Sequence, residues 1–215
     1  QPSASTQNMT ISMKICDELN ENNDSLVAMA GLHTSALPKK TMEESSADFV
    51  IEGEGPLTLE ALLKSLQEKS NEYSEIPGLW YRKGGQIVNN PRADNIDDLD
   101  KYLPMGAWDL LPMDKYRAHN WHCFDDIDKR QPYGTIYTSL GCPYSCSFCC
   151  INAPFGKPGI RFRSPELVVE EMELLQKKYG VKNLKIVDEL FVLRESHYMK
   201  IVDLIIEKEL DLNIW

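Results

Sequence analysis

Apolar positions recur along the chain in helical and strand-like periods that alternate. Ile11, Ile15 and Leu19 stand four residues apart within residues 8–20, which predicts an amphipathic helix. Leu26 to Ala30 then reads as a short buried strand, closed by Gly31 and followed by a polar turn from Leu32 to Ser35. The arrangement repeats at Asp48 to Glu52, which ends in Gly53-Glu54-Gly55-Pro56 and leads to Leu59, Leu62, Leu63 and Leu66 at helical spacing. Short apolar strands alternating with helices predict an α/β fold with a parallel sheet. Ligands of such sheets sit beyond the carboxyl ends of the strands, where both glycine turns fall.

From Ile76 the period changes. Gly78 to Arg82 and Gln86 to Val88 flank Lys83-Gly84-Gly85, which predicts a β-hairpin. Residues 89–132 are acidic around Asp94 to Asp100, broken by Pro104, Pro112 and Pro132, and read as a linker packed by Trp108, Tyr116, Trp121 and Phe124. A third section opens with the strand-like run Thr135 to Leu140. Ser164-Pro165 supplies an N-cap and a first-turn proline for a helix carrying Val168, Met172, Leu175 and Tyr179 inward and ending at Gly180. Leu184 to Asp188 is the next strand, Ser196 to Lys208 the next helix with Tyr198, Val202 and Ile205 inward, and Leu212 to Trp215 a third strand. The expected organisation is residues 1–75 as one α/β domain, 76–132 as hairpin and linker, and 133–215 as the start of a (β/α) barrel whose chemistry lies at strand ends.

Composition narrows the class. The 215 residues are 42% hydrophobic and 26% charged, as in a globular protein. No run reaches the roughly 18 consecutive apolar residues of a membrane span. A formal charge of -10 argues against a nucleic-acid surface. The cysteines are concentrated rather than dispersed as a disulfide framework, which points to a reducing, cytoplasmic setting. A start at Gln1 and an end inside a strand pattern read as a fragment.

Four of the six cysteines lie between Cys142 and Cys150, directly after a strand. The spacing is C-x3-C-x2-C through Cys142, Cys146 and Cys149. Soft thiolates this close converge on zinc or an iron–sulfur cluster. Zinc would draw a fourth ligand from Cys150, Cys123 or His122, yet closed zinc sites ordinarily pair two such groupings and here there is one. Three thiolates suit a 4Fe–4S cube with one iron left open for another ligand. A binding module without catalysis, iron–sulfur or zinc, is the alternative from outside the enzymes.

The triplet Cys142, Cys146, Cys149, with Phe148 before its last cysteine, resembles the signature of the radical S-adenosylmethionine superfamily. That resemblance implies that the three cysteines hold the cluster and that Cys150 is a packing residue. It also implies that S-adenosylmethionine chelates the open iron, and that an electron from the cluster breaks it into methionine and a 5′-deoxyadenosyl radical. Phe148 would lie beside the adenine. Asp188 or Glu189, at the end of the second barrel strand, would meet the amino group where the family often has a Gly-Gly-Glu-like run. Both glycines are absent here. Arg163 would meet the cofactor's carboxylate or else form a surface ion pair. An electron donor such as flavodoxin or ferredoxin is implied as partner.

Residues 25–67, the Pro77-Gly78-Leu79-Trp80-Tyr81-Arg82 hairpin, Asp97-Asp98-Leu99-Asp100 and Arg161-Phe162-Arg163-Ser164-Pro165-Glu166 resemble a class of that superfamily with a cobalamin-binding domain upstream. The fold so implied is the later part of a Rossmann-like cobalamin domain followed by the first part of a TIM-like partial barrel. Gly31, Thr34, Gly53 and Glu54 are then the candidates for cobalamin contact. Glu52 and Glu54 speak against a phosphate loop, and His33 is a turn residue rather than a cobalt ligand. A cobalt-ligating Asp-x-His-x-x-Gly element would lie before Gln1. The implied activity is cobalamin-dependent methyl transfer to an unactivated carbon of a small or lipid-like molecule. Oxidative cyclisation or rearrangement by the same cofactors is the alternative.

Overall fold

The computed structural model describes residues 6–22, 25–70, 72–103, 105–120, 128 and 130–215. Trp121, His122, Cys123 and Phe124, expected as linker packing or zinc ligands, lie outside the described residues. The chain divides into two compact units, Gln1–Ile96 with Tyr144–Gly159 and Asp97–Pro143 with Ile160–Trp215.

The first unit is built on a four-stranded sheet. Helix α1 (Met9–Asn22) precedes strand β1 (Ala28–Met29); α2 (Leu32–Ala36) and α3 (Pro38–Glu44) lead to β2 (Phe49–Ile51). Helix α4 (Pro56–Gln67) then leads to the hairpin β3 (Leu79–Lys83) and β4 (Gln86–Asn89). The sheet order is β1-β2-β3-β4, with β1 and β2 parallel and the hairpin antiparallel to β2. The α/β expectation holds, but this sheet is mixed rather than parallel. The hairpin reverses at Gly84-Gly85, both at positive φ (59° and 80°), as a tight two-residue turn requires. β2 is buried along its length because it is covered on both faces. Val50 meets Met29 and Met42 on one side, and Phe49 and Ile51 meet Leu62, Leu79 and Tyr81 on the other.

Two local expectations for this unit need correction. Helix α1 forms where the spacing predicts it, but Met9, Met13 and Cys16 pack inward against Val27 and Met29, while Ile11 and Ile15 are 59% and 47% exposed. Both stripes have helical spacing, so periodicity alone does not choose between them. The polar turn expected from Leu32 to Ser35 is instead helix α2, with Thr34 and Ser35 buried.

The second unit holds the predicted βαβαβ order. After the short helix α5 (Leu99–Tyr102) come β5 (Tyr133–Ile136), β6 (Ser139–Cys142), β7 (Gly159–Phe162), α6 (Pro165–Tyr179), β8 (Asn183–Ile186), α7 (Glu195–Glu207) and β9 (Asn213–Ile214). β5, β8 and β9 form a parallel sheet in that order, and β6 pairs with β7. The strand expected from Thr135 to Leu140 is thus broken at Tyr137-Thr138. Helix α6 is delimited as its sequence predicts: the Ser164 side chain accepts from the Leu167 amide, Pro165 opens the first turn, and Gly180 closes it in the left-handed conformation. Val168, Val169, Met172 and Leu175 are fully buried against Ile136, Leu184 and Ile201. Helix α7 is rotated from the expected face: His197 and Ile201 are buried, whereas Val202 faces outward. Ile205 packs against the core as expected.

Candidate functional site

β6 delivers the chain into the cysteine loop. Cys142 is half-buried at the strand end, while Cys146, Cys149 and Cys150 are exposed, so Cys150 is not the packing residue expected of it, and none of the four is in a disulfide. The loop turns tightly, the Cys149 amide donating to the Cys146 carbonyl at 3.1 Å. Phe148 is 92% exposed, its ring free of the core. Among the described residues no three His, Cys, Asp or Glu side chains stand close enough to hold a metal ion. The donor chemistry nevertheless fits a soft cluster: three free thiols on a turn, two of them open to solvent. A metal site often closes only when its metal is bound.

The loop's tail, itself part of the first unit, is anchored by the segment that follows β4. Arg92 Nη2 donates to the Ala153 carbonyl at 2.7 Å and Asn95 Nδ2 to the Phe155 carbonyl at 2.8 Å. Arg92 Nη1 in turn meets Glu52 Oε1 at 3.0 Å, and Glu52 Oε2 accepts from the Trp80 indole at 2.8 Å. Glu54 Oε2 accepts from the Ile96 amide at 2.6 Å. Glu52 and Glu54 therefore hold the 92–96 segment beside the end of β2. The sequence shows two acidic residues around a glycine turn; what they bind was legible only once Arg92 and Ile96 were placed.

The carboxyl ends of β1 and β2 come together as expected for a parallel pair. Ser35 Oγ donates to the Gly53 carbonyl at 3.2 Å and accepts from the Gly53 amide at 3.1 Å. This places Gly31 and Gly53 at neighbouring strand ends. Thr34 is fully buried and its hydroxyl donates back to the Gly31 carbonyl at 2.8 Å, so it serves the turn and does not line an open surface.

In the second unit Asp188 lies just past β8, and its carboxylate faces the break between β5 and β6. Oδ1 accepts from the Thr138 amide at 2.7 Å, and Oδ2 accepts from the hydroxyls of Thr138 at 2.5 Å and Ser139 at 2.6 Å. Three donors commit this carboxylate to the strand that leads to Cys142. Glu189 is exposed and makes no hydrogen bond among the described residues. Partial burial and the neighbouring Asp188 charge push its carboxyl above the usual range. The Tyr137 phenol is likewise pushed up, by burial first and then by Glu189 and Asp188. A shallow cavity of about 380 Å³ opens here, lined by Lys185, Ile186, Val187, Asp188 and Trp215.

Arg163 is neither on the surface nor open to a ligand's carboxylate at its Nη1. It is buried, and Nη1 donates to Glu171 Oε2 at 2.7 Å and to the Tyr137 carbonyl at 2.9 Å. Glu171 Oε1 also accepts from the Gly106 amide at 2.7 Å and the Trp108 indole at 2.8 Å. The Arg163 carbonyl lies 2.9 Å from buried His197 Nε2, whose ring packs on Phe162. Sequence reading missed Glu171 and His197. A signal for Glu171 existed: it falls on the apolar stripe of α6 between Val168 and Leu175, where a carboxylate needs a buried partner.

No family model matches the chain. Its fold is that of the radical S-adenosylmethionine proteins that work with cobalamin. It superposes on the radical S-adenosylmethionine methyltransferase TsrM from Kitasatospora setae, solved with cobalamin and a 4Fe–4S cluster bound, with a TM-score of 0.67 and 23% identity over 94% of this chain and 37% of that one. In sequence it is 37% identical over 201 residues to an uncharacterized methyltransferase of Pyrococcus horikoshii, covering 93% of this chain. It is 26% identical over 176 residues to an anaerobic magnesium-protoporphyrin IX monomethyl ester cyclase of Synechocystis sp., covering 80% of this chain. These likenesses bear out the resemblance carried by the cysteine loop: the chain is a relative of the cobalamin-dependent radical S-adenosylmethionine enzymes. It spans 40% and 32% of the lengths of those two relatives. Among the described residues no helix is long and apolar enough to cross a membrane.

Proposed function

We propose that the chain is part of a cytoplasmic enzyme that cleaves S-adenosylmethionine reductively and transfers a methyl group to an unactivated carbon of a small or lipid-like molecule. The observation that carries this reading is the triplet of free thiols, Cys142, Cys146 and Cys149, issuing from the end of β6 in a chain of this fold. When bound, a reduced 4Fe–4S cluster supplies the electron that splits S-adenosylmethionine, and cobalamin supplies the methyl group. The chain's own residues bind and orient. Cys142, Cys146 and Cys149 hold three irons, and exposed Phe148 offers a face to the adenine. Glu189, with its carboxylate uncommitted, takes the ammonium group of S-adenosylmethionine, while Asp188 fixes the strand that presents Cys142. Gly31 and Gly53 let the backbone approach the cobalamin tail closely. Residues 1–75 are read as the later part of the cobalamin domain, 76–132 as hairpin and linker, and 133–215 as the opening of a partial barrel. Flavodoxin or ferredoxin is the proposed electron donor.

A second reading, oxidative cyclisation with the same cofactors, is favoured by the likeness to the magnesium-protoporphyrin cyclase. The full-length protein, loaded anaerobically with iron and sulfide and then reduced, is expected to release 5′-deoxyadenosine from S-adenosylmethionine, and Cys146→Ala to abolish that release. A wild-type protein that binds iron and sulfide yet releases none would overturn both readings. Product mass separates them, because methylation adds one CH2 unit.

A further inference from the structure

We propose that Arg92 is a positioning residue: its guanidinium fork docks the tail of the cysteine loop onto the end of β2, beside the Gly53 turn. The inference rests on the reading above, in which the loop carries cluster ligands and the turn faces cobalamin. One nitrogen of the fork faces Glu52 Oε1 at 3.0 Å and the other the Ala153 carbonyl at 2.7 Å. The Glu52 carboxylate is itself held by the Trp80 indole on β3 at 2.8 Å, so the fork is braced from the sheet. Both side chains of the ion pair are largely withdrawn from solvent, at 28% and 20% exposure, where a charge-assisted hydrogen bond is strong and directional.

Gly156 supplies an independent observation. It sits at φ 72°, and a Cβ added there would lie 2.9 Å from Arg92 Nε. The loop tail therefore closes over the guanidinium at a distance that only glycine allows. Asn95, donating to the Phe155 carbonyl at 2.8 Å, sets a second point of the same tail, and Gly53 lies beneath the Pro154 carbonyl, 3.8 Å from an added Cβ. Residues 153–156 are thus gripped along their length by the segment that follows β4. The thiols Cys146 and Cys149 lie a few residues upstream on the same tethered loop. An arginine here fixes where the loop stands, without touching any reacting atom.

The test uses the full-length protein, reconstituted anaerobically, with kcat and KM followed for 5′-deoxyadenosine release and the cluster followed by iron content and EPR. Arg92→Ala is expected to keep its iron, to lower kcat about tenfold or more and to leave KM for S-adenosylmethionine within about twofold, the pattern of misplaced rather than missing groups. Arg92→Lys, which keeps the charge toward Glu52 but loses the fork, is expected to recover part of the loss. Gly156→Ala approaches the same contact from the loop side, and the double variant is expected to be no worse than the poorer single. An Arg92→Ala protein within about twofold of wild type in kcat, or a double variant equal to the product of the singles, overturns the proposal. Should wild type release no 5′-deoxyadenosine, the functional reading fails separately. Amide hydrogen exchange then reads the docking directly: faster exchange over residues 150–158 in Arg92→Ala supports it, and unchanged exchange overturns it.

Discussion

Asp188 and Glu189 are chemically alike and adjacent, yet their surroundings give them different work. Asp188 is saturated by three donors around Thr138 and Ser139, while Glu189 keeps an open carboxylate whose proton is held more tightly than usual by partial burial and by Asp188. A carboxyl whose folded pKa is raised binds more protons in the folded than in the unfolded chain. Stability falls as pH rises through that interval, and the penalty stays in force above it. Glu189→Gln removes the penalty. The variant is expected to melt higher than wild type at neutral pH without cofactor, with the gap closing near pH ~4, where the unfolded carboxyl is itself protonated. In the proposed function the same variant loses affinity for S-adenosylmethionine, because the amide carries no charge for the ammonium group. A melting gap that persists below that pH would count against the assignment. The sequence placed a pair of carboxylates at a strand end correctly. It did not say which was free, because that depends on Thr138, fifty positions earlier in the chain.

At the scale of elements, helix α6 shows what local sequence decides and where it stops. Ser164, Pro165 and Gly180 fix its ends, and its apolar stripe fixes the buried face. Helices α1 and α7 carry less one-sided patterns, and their faces are set by tertiary partners, β1 in one case and Phe162 with the α6 core in the other. The linker tells the same story in polar terms. Its lack of periodicity hides the contacts that order it: Asp98 caps α5, Asp100 accepts from the Ser164 amide at 2.9 Å, and Gly106 and Trp108 both donate to Glu171. Glu171 therefore joins the linker to α6 and neutralises buried Arg163. Glu171→Ala strands that guanidinium and two further donors, with an expected loss of about 3–5 kcal/mol, against the small effect of an exposed carboxylate. Chemical denaturation of the full-length protein checks it; a loss near that of Glu195→Ala, at an exposed position, would contradict it.

For the whole molecule, the main order of helices and strands was legible from alternation of apolar period, and the grouping of Cys142, Cys146 and Cys149 just past a strand from their spacing. Membership of the first sheet was not, because a hairpin of ordinary composition gives no sign of the edge it will join. Nor was the anchoring of residues 153–156 by Arg92 and Asn95, since it links positions about sixty residues apart. The hairpin has a practical consequence. Among the described residues, and apart from the glycines' chain neighbours, nothing lies within 4 Å of where a Cβ would stand on Gly84 or Gly85. A short peptide epitope inserted between them is expected to leave the cobalamin absorption spectrum of the full-length protein unchanged, because it alters only an exposed tip. Loss of cobalamin from such an insert would show that the tip is covered in the complete enzyme. If the spectrum holds, the tip becomes a handle for tethering the protein to an electrode or a bead without touching the cysteine loop.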